Sequence, residues 1–208
     1  MQGVVKLVPI CYNQSMKLHY MGKYNLDVNS LPHGEHQEGA VRFKEPTDTA
    51  QLSKIATMLS FAILLVLSVF AVLLGRRLLI QHPFQIILGL LLPILTAFPH
   101  ELLHAICFKG DVYLYTNWSQ GLLFVVGPET MIKARFVLMS LLPNLVFGII
   151  PYIVGMSISN VFLMAFGSMA TSMGAGDYYN VFNALTQMPK GARTYIYELN
   201  SYWYLPKK

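Results

Sequence analysis

His100, Glu101, Leu102, Leu103 and His104 place two imidazoles four residues apart, with a carboxylate beside the first, inside an apolar run over residues 84–108. On a helix, residues four apart leave the same face one turn from each other. Both rings can therefore share one ion, while Glu101 stands beside them as a base. This is the HExxH spacing of zinc hydrolases, and chance yields only about 0.005 such matches in a chain with six histidines among 208 residues. Three ionisable groups within five residues at membrane depth are costly, and such groups are expected to serve a function. The plainer alternative is a polar pair that hydrogen-bonds a neighbouring helix without any metal.

A catalytic zinc commonly takes three protein ligands and leaves one position open, so two histidines want a partner. Outside the motif, Asp177 is the only acidic residue within an expected span. His104 lies twenty residues beyond Phe84 and Asp177 nineteen beyond Ile158, which puts both groups toward the same end of their helices. Gly174, Ala175 and Gly176 precede Asp177, and such small residues let backbones approach or a helix unwind around an ion. Asp177 can instead cap a helix that begins at Tyr178.

Asn180, one turn further on, and Asn144, in a Pro143–Asn144 step, are candidates to orient Asp177 or a substrate carbonyl. An interhelical hydrogen bond is the other reading, and it is favoured for Asn144. Cys107, three residues after His104, can reach the metal face or serve as a small apolar residue, and the second use is the commoner. His33 and His36 sit in a polar stretch and are expected to be solvated, and neither His19 nor His82 has an obvious partner.

The chain that must position these groups is 54% hydrophobic and only 12% charged, far below the charge of an ordinary soluble domain. Four apolar stretches of membrane length follow: 56–74, ended by Gly75, Arg76 and Arg77; 84–108; 136–154; and 158–185. Pro93 and Pro99 are expected to kink the second just before His100. Between the second and third, two β-prone runs at 112–115 and 122–126 flank Gly121 and read as a hairpin. The expected fold is mainly α: a polytopic membrane protein of about four transmembrane helices with one short β-hairpin.

Residues 1–52 read as a polar cytosolic arm, 53–188 as the membrane domain, and 189–208 as a tail whose Tyr195, Tyr197, Tyr202, Trp203 and Tyr204 suit a membrane interface. Cys11 and Cys107 offer no disulfide framework, and residues 4–10 are too short for a cleavable signal peptide. The net charge of +5 is dispersed beside the apolar stretches, which points to membrane flanks and away from nucleic acid. With four spans, thirteen of the fifteen Lys and Arg residues fall on one side and only Arg76 and Arg77 on the other. Both termini are then expected in the cytosol of a multi-pass cell-membrane protein.

The HELLH motif in a second span, the β-prone loop after it, the Pro143–Asn144 step and the later Gly174-Ala175-Gly176-Asp177 together resemble the site-2-protease-like intramembrane metallopeptidases. More closely, they resemble the small zincin peptidases of the DUF3267 type. The resemblance covers about residues 55–188. It implies zinc on His100, His104 and Asp177, with Glu101 as catalytic base. The chain lacks the Asn-Pro-Asp-Gly type motif and the PDZ module of the better-known site-2 proteases. What it implies is hydrolysis of peptide bonds in or near the bilayer, on a membrane-associated protein or peptide. The competing readings are a membrane protein that binds or transports a metal without hydrolysis, and an inactive scaffold.

Overall fold

The computed structural model describes residues 16–46, 49–197 and 200–207; the readings made of residues 4–10 and of Cys11 lie outside them. Helix α1 (Thr49–Gln81) carries the uncharged apolar stretch over 56–74 and is helical on both sides of Gly75, whose φ of −136° and ψ of 23° interrupt it one residue before the Arg76–Arg77 pair. The next apolar segment is built of α2 (Pro83–Leu91), a 3-10 turn (Leu92–Thr96) and α3 (Ala97–Ala105).

The break comes earlier than Pro99 suggests. Pro93 lies at the start of the 3-10 turn, whereas Pro99 occupies the first turn of α3, where a backbone N–H has no helical acceptor to lose. The third segment joins α4 (Lys133–Pro143), a π-helical stretch (Asn144–Ile149) and α5 (Ile150–Ser157).

Three helical segments, Ala50–Leu73, Pro83–Ala105 and Lys133–Ser157, are long and apolar enough to cross a membrane among the described residues. The fourth span expected over 158–185 divides at Gly174 into α6 (Val161–Met173) and α7 (Ala175–Gln187). Thirteen residues rise about 20 Å, short of the roughly 30 Å of hydrocarbon. Helix α6 is the hub of the bundle, packed by α1, α2, α5 and the π stretch. Close approach makes this possible: a Cβ on Gly155 would come 2.6 Å from the Met164 nitrogen, and one on Gly167 would come 2.3 Å from that of Tyr152.

Two sheets form at the end of the bundle that bears α3. Strand β1 (Leu18–Lys23) pairs in parallel with β3 (Val112–Asn117), and β3 pairs antiparallel with β4 (Leu122–Val126). In the order β1-β3-β4, strand β4 is an edge. The second sheet runs β2 (Val41–Arg42), β7 (Asn200–Tyr204), β6 (Arg193–Tyr197), β5 (Met131–Ile132).

The polar N-terminal stretch thus contributes a strand to each sheet, and the aromatic tail forms the β6–β7 hairpin. Tyr195 is buried there, its hydroxyl 3.0 Å from His36 Nδ1 and accepting the Gln37 N–H. His19 has a partner as well, since its Nε2 lies 3.6 Å from Asp111 and its ring stacks on Tyr113. Phe43, Ala105, Phe108, Val112, Met131, Phe136, Ala184, Met188 and Ala192 close one apolar core that welds both sheets to α3, α4 and α7. The end of α3 is therefore anchored from several directions.

Candidate metal centre

Helix α3 projects His100 and His104 from one face, their ring centroids 4.8 Å apart. The partner they face comes from far along the chain. Asp177, in the first turn of α7, sets Oδ2 at 3.2 Å from His100 Nε2 and Oδ1 at 3.3 Å from His104 Nε2. The break at Gly174 explains how α7 arrives there. A Cβ at that position would come 1.5 Å from Asn144 Oδ1, so only glycine lets the chain turn so close to the amide. Asp177 is three residues inside α7, not the cap before Tyr178; the cap position belongs to Gly174.

Further bonds fix the orientation of these groups. His104 is buried and its Nδ1 donates to the carbonyl of Met139 at 2.9 Å, so in the neutral ring the lone pair would be on Nε2, the atom that faces Asp177. Asn144, 1% exposed, donates from Nδ2 to Asp177 Oδ2 at 2.7 Å and to the Ser140 carbonyl at 3.2 Å. Glu101 turns toward the sheet, where Oε2 accepts the N–H of Val125 on β4 at 3.0 Å. A carboxylate oxygen of Glu101 and a ring nitrogen of each histidine lie within 4.8 Å of one another.

The donors fit a zinc ion by type and spacing. Two imidazole nitrogens and a carboxylate are zinc ligands, and bonds of about 2.0–2.2 Å in a tetrahedral site set donor atoms roughly 3.3–3.5 Å apart. The two nitrogen–oxygen separations sit at that value or a tenth of an ångström below it. A ligating histidine normally gives its other ring N–H to a carbonyl, as His104 does to Met139.

Of the remaining candidates, Asn180 is half-buried and makes no side-chain bond to Asp177 or either histidine among the described residues. Cys107 is a free thiol whose Sγ donates to the Leu103 carbonyl at 3.6 Å. Sequence reasoning missed the Met139 carbonyl and the Val125 N–H, because main-chain groups have no residue type to betray them.

Two features border the site. Where the chain leaves α3, Glu129 accepts the backbone N–H groups of Lys109 and Gly110, at 2.6 and 3.3 Å, and the guanidinium of Arg135. Partial burial pushes the Glu129 carboxyl up, but the bonds from Arg135, Lys109 and Gly110 outweigh it and hold the group below its ordinary value. On the other flank, a groove of about 260 Å³ runs between Ser53, Thr57 and Ser60 of α1 and Met173, Ala175 and Gly176 beside the metal-facing turn.

Residues 93–193, just under half of the chain, match the model of the DUF3267 family, whose description is "Putative zincin peptidase". No curated protein and no solved structure matches the chain. The matched segment contains both histidines, Glu101, Asn144 and Asp177, and its family implies zinc. Over that segment the chain is similar to the DUF3267 family, which is what the match by itself carries.

Proposed function

We propose that this chain is an integral-membrane zinc metallopeptidase that hydrolyses peptide bonds in or near the bilayer, with His100, His104 and Asp177 as metal ligands and Glu101 as general base. The observation behind this reading is the meeting of two imidazole nitrogens and a distant carboxylate at 3.2 and 3.3 Å, with a second carboxylate beside them. When bound, zinc supplies the positive charge that acidifies a water toward a pKa of about 7 and polarises a carbonyl.

The chain's own groups do the rest. Glu101 takes the water's proton and returns it to the leaving amine once the C–N bond breaks. Its bond to the Val125 N–H aims the carboxylate and keeps it at the edge of the sheet. A peptide laid along β4 as an added strand would pass the base in extended form. That geometry suits a substrate whose membrane helix has locally unwound, since a helix hides its backbone groups in internal bonds.

The polar groups cluster at one level of the bundle and are not strung along the helices, which favours hydrolysis over metal transport. The pairing of β2 with β7 brings both terminal segments to one end of the bundle, and the Lys and Arg residues of those segments support a multi-pass membrane protein with both termini cytosolic. Glu101→Gln tests the reading: zinc content should stay near one ion per chain while cleavage of membrane peptides drops at least 10³-fold. A fully active variant removes Glu101 from the mechanism.

A further inference from the structure

We infer that Pro143 is a positioning residue for the metal site, acting through the two carbonyls it deprives of helical donors. In an unbroken helix the N–H of residue 143 would bond to the carbonyl of Met139; proline has no N–H to give. The next donor, the N–H of Asn144, bonds to Leu141 instead of Ser140. Two successive carbonyls, of Met139 and Ser140, thereby lose their i→i+4 donors on a helix that packs against both α3 and α7.

Each is taken by a side chain of the site. Met139 accepts from His104 Nδ1 at 2.9 Å, and Ser140 accepts from Asn144 Nδ2 at 3.2 Å. The first bond fixes which nitrogen of His104 holds the proton, and so which one is free for a metal. The second sets the amide that reaches Asp177 Oδ2 at 2.7 Å. One residue without an N–H therefore orients a group on each side of the proposed ion. The Ser140 hydroxyl, buried and without a partner among the described residues, does not compete for either carbonyl.

Pro143→Ala puts the missing N–H back and offers Met139 its helical donor. Chelator competition should show zinc affinity 10- to 100-fold lower, the usual cost of losing a group that orients a ligand. The melting temperature of the zinc-free variant should meanwhile hold or rise, because alanine is the better helix former. Nitrogen-15 spectra of the histidines should show the His104 Nδ1–H hydrogen-bonded to the Met139 carbonyl in the zinc-free wild type, with that bond lost in the variant.

The inference rests on the zinc reading of the site, yet the two fail separately. A wild type that takes up no zinc defeats that reading, while the ring state in zinc-free protein decides this one even if the variant does not fold. A wild-type His104 whose Nδ1 carries no proton overturns the inference. So does a Pro143→Ala protein that binds zinc as the wild type does, or one whose fold and zinc affinity fall together with the His104 ring unchanged.

Discussion

Two helical segments of nearly equal length, Ala50–Leu73 in α1 and Lys133–Ser157 through α4 and α5, could each cross a membrane, but they use their surfaces in opposite ways. Only 6% of the apolar window in the first is buried against the rest of the protein, compared with 33% in the second. The first has a charge only at Lys54, near its start, and faces outward nearly all round, as a helix does when lipid tails are its solvent. The second buries Ser140 and Asn144 to 1% exposure and is interrupted by Pro143 and a π-helical stretch. Apolar length says that a segment can enter a bilayer; prolines and amides within it say where protein, not lipid, must cover it.

The comparison breaks most sharply at Asp177. If it and the histidines hold one ion beside the second segment, Asp177→Ala and His104→Ala should each lower zinc from about one ion per chain to under a tenth and abolish cleavage. Elemental analysis of the purified variants measures this. Zinc retained in Asp177→Ala would leave the third ligand to Glu101, whose oxygen is near enough to serve.

A smaller loss should follow from Gly174→Ala, where the added methyl would collide with Asn144 and push its amide away from Asp177. A 10- to 100-fold drop in zinc affinity is expected, with about 1–3 kcal/mol of destabilisation from overpacking. An affinity within twofold of wild type would show that Asn144 does not orient Asp177.

Much of this centre could be read from residue types. HELLH names its own geometry, because a four-residue spacing has a single meaning on a helix. Asp177 stood out as the one acidic residue of its apolar stretch, and the structure places it against both imidazoles, although the depth count along 158–185 assumed a helix that in fact divides at Gly174. The count of spans was less legible: an apolar average over 158–185 hides the turn at Gly174, which depends on what lies opposite it, the Asn144 amide from the preceding helical segment.

The sheets of the N-terminal stretch were invisible for a similar reason. The parallel pairing of Leu18–Lys23 with Val112–Asn117 joins segments nearly a hundred residues apart, and neither alternates cleanly enough to announce a partner. The free carbonyls of Met139 and Ser140 lie between these cases. A proline at 143 announces that an acceptor is released, but only packing tells which side chain takes it.

The mildest test returns to the outward-facing helix. Leu65 in α1 is 65% exposed, whereas Phe136 in α4 is 6% exposed within the shared core. In a bilayer the tails fill the space that a truncated outward side chain leaves, so Leu65→Ala should cost less than about 1 kcal/mol. Phe136→Ala leaves a cavity that lipid cannot reach, and about 3–5 kcal/mol is expected. Unfolding of both variants in lipid, followed by denaturant titration, gives the ratio. Were Leu65→Ala to cost as much as Phe136→Ala, the outer face of α1 would have to lie against another protein surface, and its exposure here would mark an interface in place of a lipid boundary.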